Sequence, residues 1–344
     1  MTSFCFQFAK NLLVVLLLLL ARNAVAQTTF LHQDFASTGP FVDPEPDSGQ
    51  FSHIVQTAPV LSYSKFHNGY MELVRTQQDS ATGGIIRVLR ATPFQPNPET
   101  LFIQIRMSAE AVQSNALNAI YFYVGDNFNA GNHSFPGNAL MFGKFSINFL
   151  DDAFTVKDLA TQLSSKPIAR KKTVTLTWVL NNSSKLFGYK LSPSNAVTYN
   201  VLPGTYDLWV DDDPVNLNSK AYPGNSIFSK TKLSNFELRF RNGLGKIRIH
   251  EMLIREGTSE LKINDVMVAP NPAFRDLITL RAINVDPNSL RLIRLRGSDI
   301  PVTTKTIAPD KVEIRPNVRL ASGIYIISFE NDRGQRKTVK VMIE

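Results

Sequence analysis

The sequence predicts an all-β chain: a large antiparallel sandwich of the jelly-roll type, followed by a small β-sandwich. Three observations predict it. Apolar residues recur with a period of two along most of the chain. Clusters of Pro, Gly and Asn break the periodic runs at short intervals. Helical spacing is scarce, and residues 150–164 carry the one weak example. Many short strands with turn-rich links and few helices read as a sandwich.

The first element is a targeting segment. Lys10 precedes an apolar run at 12–21, and Ala24-Val25-Ala26 follows it. That run is shorter than the roughly 20 residues needed to span a bilayer. A charged start, a short apolar middle and an A-x-A exit read as a secretory signal over residues 1–26, cleaved between Ala26 and Gln27. The single cysteine, Cys5, lies inside it. The expected mature chain therefore has no disulfide and no cysteine-based metal site.

Residues 27–260 form the expected large sandwich. Leu101, Ile103, Ile105 and Met107 alternate with Phe102, Gln104 and Arg106. Ile120, Phe122 and Val124 alternate with Tyr121 and Tyr123. Phe145, Ile147 and Phe149 alternate with Ser146 and Asn148. Val174, Leu176, Trp178 and Leu180 alternate with threonines, and Phe236, Leu238 and Phe240 with Glu237, Arg239 and Arg241. Each set puts apolar side chains on one face of a strand. Between Ile249 and Met252 the phase slips by one residue, as a β-bulge would require.

A small second sandwich is expected over 264–344. Short β runs lie at 277–280, 290–295, 311–314, 324–329 and 338–343, with turns at Asp286-Pro287-Asn288, Gly297, Pro316-Asn317 and Asp332-Arg333-Gly334.

Two resemblances follow from these residues. The start Phe30-Leu31-His32-Gln33-Asp34-Phe35, the stretch Thr177-Trp178-Val179-Leu180-Asn181-Asn182-Ser183, the strand Tyr206-Asp207-Leu208-Trp209-Val210 and the closing strands 236–256 resemble concanavalin A-like or laminin-G-like jelly rolls of secreted Bacteroidetes proteins. The carboxy terminus resembles the type A sorting domain of the type IX secretion system, an immunoglobulin-like sandwich. The matching blocks are Pro270-Asn271-Pro272-Ala273, the stretch at 320–325 with Gly323 and Tyr325, and the ending at 337–343 with Lys340. The stretch Leu295-Arg296-Gly297-Ser298-Asp299-Ile300 departs from the family's usual turn after the third strand. The second resemblance implies export to the cell surface or medium through the periplasm. It implies the secretion machinery as partner and, for some members, attachment to anionic lipopolysaccharide. No transmembrane span is expected in the mature chain.

Catalytic constellations are missing. No two of the five histidines have metal-ligand spacing, and no G-x-S-x-G elbow occurs. The nearest carboxylate pair is Glu251 with Glu256, and the phase slip separates their faces. Asp211-Asp212-Asp213 with Asn216 and Asn218 has oxygen ligands suited to Ca2+, but no glycine-defined calcium-loop spacing appears, which favours a solvated turn. Aromatic residues on the polar phase carry more. Tyr121, Tyr123 and Trp209 lie opposite the core phase of their strands, with Asn148, Arg239 and Arg241 on the same phase of theirs. Sugar C–H faces stack on rings, and sugar hydroxyls need polar partners. These six residues either line a glycan site, or build a second buried layer, or are ordinary surface side chains.

The expected function is therefore an exported, non-catalytic sandwich that binds glycan or another surface ligand. A polysaccharide-degrading enzyme and a structural cell-envelope protein are the alternatives. Nucleic acid is not an expected partner. The net charge of +8 divides into +2 over 1–26, +2 over 27–263 and +4 over 264–344, so the large sandwich is almost neutral.

Overall fold

The computed structural model describes residues 28–78, 83–194, 197–222, 229–257, 267–268, 271–282, 285–295, 297–308, 311–330 and 336–344. The signal-like segment, including Ala26 and Gln27, and Pro270 lie outside these residues.

Among the described residues, every regular element of the large unit is a strand. In chain order they are β1 (Thr29–Gln33), β2 (His53–Gln56), β3 (Ser62–His67), β4 (Tyr70–Arg75), β5 (Ile86–Arg90), β6 (Thr100–Val112), β7 (Ala116–Gly125), β8 (Met141–Leu150) and β9 (Ala153–Asp158). Then come β10 (Ile168–Ala169), β11 (Val174–Asn181), β12 (Phe187–Tyr189), β13 (Tyr199–Val201), β14 (Thr205–Val210), β15 (Asp213–Lys220), β16 (Asn235–Phe240) and β17 (Gly245–Glu256). One sheet runs β15-β14-β11-β6-β17-β4-β3, with β1 added against the second half of β17. The other runs β10-β9-β8-β7-β16-β5-β2. All strand pairs in both sheets are antiparallel.

The predicted apolar phases meet between these sheets. Leu101, Ile103, Ile105 and Met107 face Ile120, Phe122, Phe145, Ile147 and Leu238 in one core. Trp178 lies there, at right angles to Phe145 with ring centroids 5.0 Å apart. Gly143 faces it, and a Cβ there would sit 3.0 Å from both the Trp178 and Tyr206 rings. No other residue fits that close approach without displacement. The phase slip on β17 is a register shift between Ile249 and Glu251, as the sequence required.

Residues 150–164 are not helical. Leu150 pairs with Ala153 across a two-residue turn in which Asp152 has φ 53°, and β9 follows. Phe154 and Val156 reach the core there, and Thr155 points the other way. Two apolar residues at spacing two decide for strand.

The second unit holds β18 (Met267–Val268), β19 (Ile278–Arg281), β20 (Arg291–Arg294), β21 (Asp299–Ile300), β22 (Val302–Ala308), β23 (Lys311–Pro316), β24 (Gly323–Glu330) and β25 (Arg336–Ile343). They form two four-stranded antiparallel sheets, β18-β19-β23-β22 and β21-β20-β24-β25. Their core gathers Ile278, Leu280, Leu292, Ile314, Ile327, Phe329 and Val341, and it shares no residue with the first core. β22 was not expected, because Thr304 and Thr306 stand on the inward phase beside Val302 and dilute the apolar signal.

The described parts of the three carboxy-terminal blocks come together. The Asn271 side-chain oxygen accepts from the Met342 amide at 2.9 Å, and the buried Ala273 donates to the Met342 carbonyl at 2.7 Å. β25 in turn pairs Ile343 with Gly323 and Val341 with Tyr325. Tyr325 is buried, its hydroxyl bonded to the Ala321 carbonyl, whereas Pro272 and Lys340 are exposed.

Candidate functional site

The outward face of the seven-stranded sheet carries most of the predicted residues. Register aligns Arg87, Arg239, Tyr121, Ser146 and Lys157 in one cross-strand row over β5, β16, β7, β8 and β9. The next row holds Leu89, Glu237, Tyr123 and Lys144. Side chains directly opposite one another lie about 5 Å apart at Cβ, so each row is a continuous strip.

The loop 126–140 between β7 and β8 folds over one end of these rows. Arg87 donates to the carbonyls of Asn129, Ala130 and Asn132, and grips Glu237 at both carboxylate oxygens. Arg239 donates to Glu237 at 2.6 Å and to the carbonyls of His133 and Ser134. Arg87, Glu237 and Arg239 are all buried under the loop. Their charges hold the loop rather than a ligand.

The pinned loop presents Phe135, which the period-two pattern could not reveal. Its ring is 41% exposed and stands edge-on to Tyr121, centroids 5.1 Å apart at 66°. Tyr121 stacks on Tyr123 at 5.7 Å and 8°. The Arg241 guanidinium lies 4.5 Å over the Phe135 ring, and Arg239 lies 4.9 Å from it. Tyr121 and Arg241 are half-buried, and Tyr123 is buried beneath them. Burial pushes both phenols up from their ordinary values, so both stay neutral across the physiological range. Tyr121, Phe135 and Arg241 thus form a partly exposed, preorganised aromatic and cationic surface.

Asn148 is structural. Its oxygen accepts from the Asn118 amide at 2.7 Å and its nitrogen donates to Thr155. Asn118 has φ 50° at an irregularity between Ala116 and Ile120, and this contact secures it.

Trp209 does not join Tyr121 and Tyr123. It lies on the outer face of the other sheet, 2% exposed, beneath the β12–β13 hairpin. Phe102, Val179, Phe187, Tyr189 and Val201 surround it in a second buried layer. Its indole N–H donates to the Tyr189 hydroxyl at 2.6 Å, and that hydroxyl donates to Asp207 at 2.7 Å. Strand parity put Trp209 outside the main core correctly. The covering hairpin, with its alternating Phe187, Tyr189, Tyr199 and Val201, was the missed signal.

The aspartate and asparagine run does not fit a calcium site. Asp211 accepts from the Thr175 amide and has φ 52° in the β14–β15 turn. Asp213 pairs with Lys166 at 3.4 Å. Asn216 donates to Asp158 and Ser219, and Asn218 accepts from the Leu202 amide. The three aspartates line a cleft of ≈ 650 Å³ together with Lys166 and Lys172, which oppose a cation there. Among the described residues, no three His, Cys, Asp or Glu side chains converge. Nor do Glu251 and Glu256 pair. Met252 and Ile254 face the core, so Glu251 points outward on the opposite phase from Glu256 and meets His32 and Arg106.

No protein-family model matches the chain, and no curated protein matches it. Among solved structures, it is similar to a carbohydrate esterase from the Shiga toxin-encoding bacteriophage phi24B: 10% identity, 68% of this chain, 100% of that chain, TM-score 0.41. It is similar to the carbohydrate recognition domain of Emp46p: 11% identity, 67% of this chain, 96% of that chain, TM-score 0.39. It is also similar to a galectin-like protein of unknown function from Bacillus subtilis: 7% identity, 68% of this chain, 98% of that chain, TM-score 0.36. The two-sheet sandwich is established by the strand order and register given above. No described helix is long and apolar enough to cross a membrane.

Proposed function

We propose that the large sandwich is a non-catalytic glycan-binding module whose site is the outward face of the seven-stranded sheet around Tyr121 and Phe135. The observation that carries this is the fixed edge-to-face pair of Tyr121 and Phe135, left accessible beside Arg241. Two apolar ring surfaces offer stacking for sugar C–H faces, and the guanidinium and phenol offer directed hydrogen bonds. Alanine at Tyr121 or Phe135 should weaken glycan binding by the full-length mature protein about tenfold, at the upper end of the worth of one aromatic contact. A glycan array on the same protein is the direct test. No glycan bound, or binding unaltered in both variants, would remove this site.

Export is the other half of the proposal. The signal-like segment at 1–26 and the three blocks at 270–273, 320–325 and 337–343 support delivery to the cell surface or medium by the type IX route, with the lipopolysaccharide layer as one destination. Loss of residues 264–344 should then strand the protein in the periplasm. Normal surface delivery of the truncated chain would refute the route.

A further inference from the structure

The two outer faces of the large sandwich treat their charges differently. On the eight-stranded sheet Lys65 lies over Tyr63 and Arg255 over Phe102, while the cations along the middle of the sheet meet carboxylates. Lys246 and Arg248 both meet Glu72, Arg248 also meets Glu110, and Arg106 meets Glu251. Each contact lies within 3.5 Å. Glu72, Glu110 and Glu251 thus supply counter-charge along the middle of that face.

The seven-stranded sheet is not balanced. Across β5, β16, β7, β8 and β9, its outward cations are Arg87, Arg239, Lys144 and Lys157, with Arg241 just past β16. Glu237 is the one outward carboxylate on those strands among the described residues, and it is already shared by Arg87 and Arg239. Arg241, Lys144 and Lys157 have no carboxylate within 4.0 Å among the described residues. Rings hold two of these heads instead. Arg241 lies over Phe135, and the Lys144 ammonium lies 4.6 Å over Tyr222. Like charges kept on one face, without counter-charges, cost free energy in the free protein and raise the local concentration of anions. The near-neutral total of the module hides this segregation.

We infer that the ligand of this face is an acidic glycan, one carrying carboxylate or sulfate groups along its chain. The inference rests on the proposed glycan site and names its chemistry. Tyr121 and Phe135 would take the sugar ring faces. Arg241 would bind the acid group through its planar fork, and Lys144 and Lys157 would supply point charges to neighbouring residues of the chain. Repeating negative charge matches a strip of cations in a way that a neutral glycan does not.

Calorimetry on the full-length mature protein tests this with matched pairs of probes. The first pair is oligogalacturonate and its methyl-esterified, neutral form. The second is a heparin oligosaccharide and its desulfated form. In at least one pair the more highly charged member should bind tenfold or more tightly than its partner, and its affinity should fall steeply as salt rises. Arg241→Gln should weaken that binding about tenfold, as loss of a charged hydrogen bond does. Arg241→Lys should keep part of it, and Lys144→Gln should lower it while leaving thermal stability unchanged. Equal binding of charged and depleted members in both pairs would overturn the inference and leave the glycan site standing. Single-stranded DNA bound as tightly as the acidic glycan would also overturn it, by exposing a general polyanion surface. No glycan bound in any arm would remove the site itself, and the inference with it.

Discussion

Glu237 holds Arg87 at two points, Nε to Oε1 and Nη2 to Oε2, both at 2.9 Å, with neither side chain open to solvent. Arg239 leans on the same carboxylate at 2.6 Å. Five carbonyls between Asn129 and Ser134 complete the two guanidinium groups. One buried carboxylate therefore fixes the loop that presents Phe135.

Glu237→Gln should be strongly destabilising. It would leave two buried guanidinium groups without a counter-charge, a loss of about 3–5 kcal/mol. Amide exchange over 126–140 should rise at the same time, because the loop's anchors lose their own support. Denaturant unfolding and hydrogen exchange measure the two effects. A change below about 1 kcal/mol, or a loop with unaltered exchange, would show that the loop is held by other contacts.

A pH effect is expected at Asp207. Burial pushes its carboxyl up to about 6, against the opposing help of the Asn218 amide and the Tyr189 hydroxyl. Below the ordinary carboxylate range both the folded and unfolded chains hold the proton. Between about 4 and 6 the folded chain keeps it and the unfolded chain releases it. This group's contribution to stability is therefore full at low pH, is lost as pH rises through that window, and levels off above it. The whole change amounts to about 3 kcal/mol. Asp207→Asn should remove it. Melting curves of both proteins from pH 4 to 7 should diverge in the variant's favour as pH rises. A constant difference across that range would count against the buried, protonatable carboxyl.

Trp209→Ala separates packing from binding. Emptying the layer under the β12–β13 hairpin should cost about 3–5 kcal/mol, as for other buried aromatic truncations. It should leave glycan affinity of the folded protein unchanged, in contrast to Tyr121→Ala. Lost affinity with intact stability would return Trp209 to the site.

The contrast between Trp209 and Tyr121 marks what the sequence could reveal. Period two assigned both correctly to the outward phase of their strands, and it placed Trp178 and Leu238 in the core. Parity names a face and is silent on what covers it. The 126–140 loop buries Arg239 and leaves Arg241 half-open, although both are outward arginines two residues apart. The hairpin with Phe187 and Tyr199 decides the fate of Trp209 in the same way. Phe135 escaped notice because a loop of Asn, Gly, Ser and Pro has no period to depart from. Its length was the usable signal, since neighbouring antiparallel strands need only a few residues to connect. The oxygen-rich run at 211–218 shows the same limit. Oxygen-rich residues close in sequence diverge when they straddle a tight turn and a strand.

The two hydrophobic cores share no side chain, and this predicts separable unfolding. Val341 is fully buried among Tyr325, Ile327 and Phe329 on the last sheet. Val341→Asp would place an unpaired carboxylate there, at a cost of about 3 kcal/mol or more. Calorimetry of the full-length mature protein should then show one transition lowered or lost and the other unmoved. Binding of glycan by the large sandwich should persist in the same variant, because its site draws no residue from the second core. A single transition that shifts as a whole would show that the two cores unfold together, and a division of the chain into 27–260 and 264–344 would then have no thermodynamic meaning.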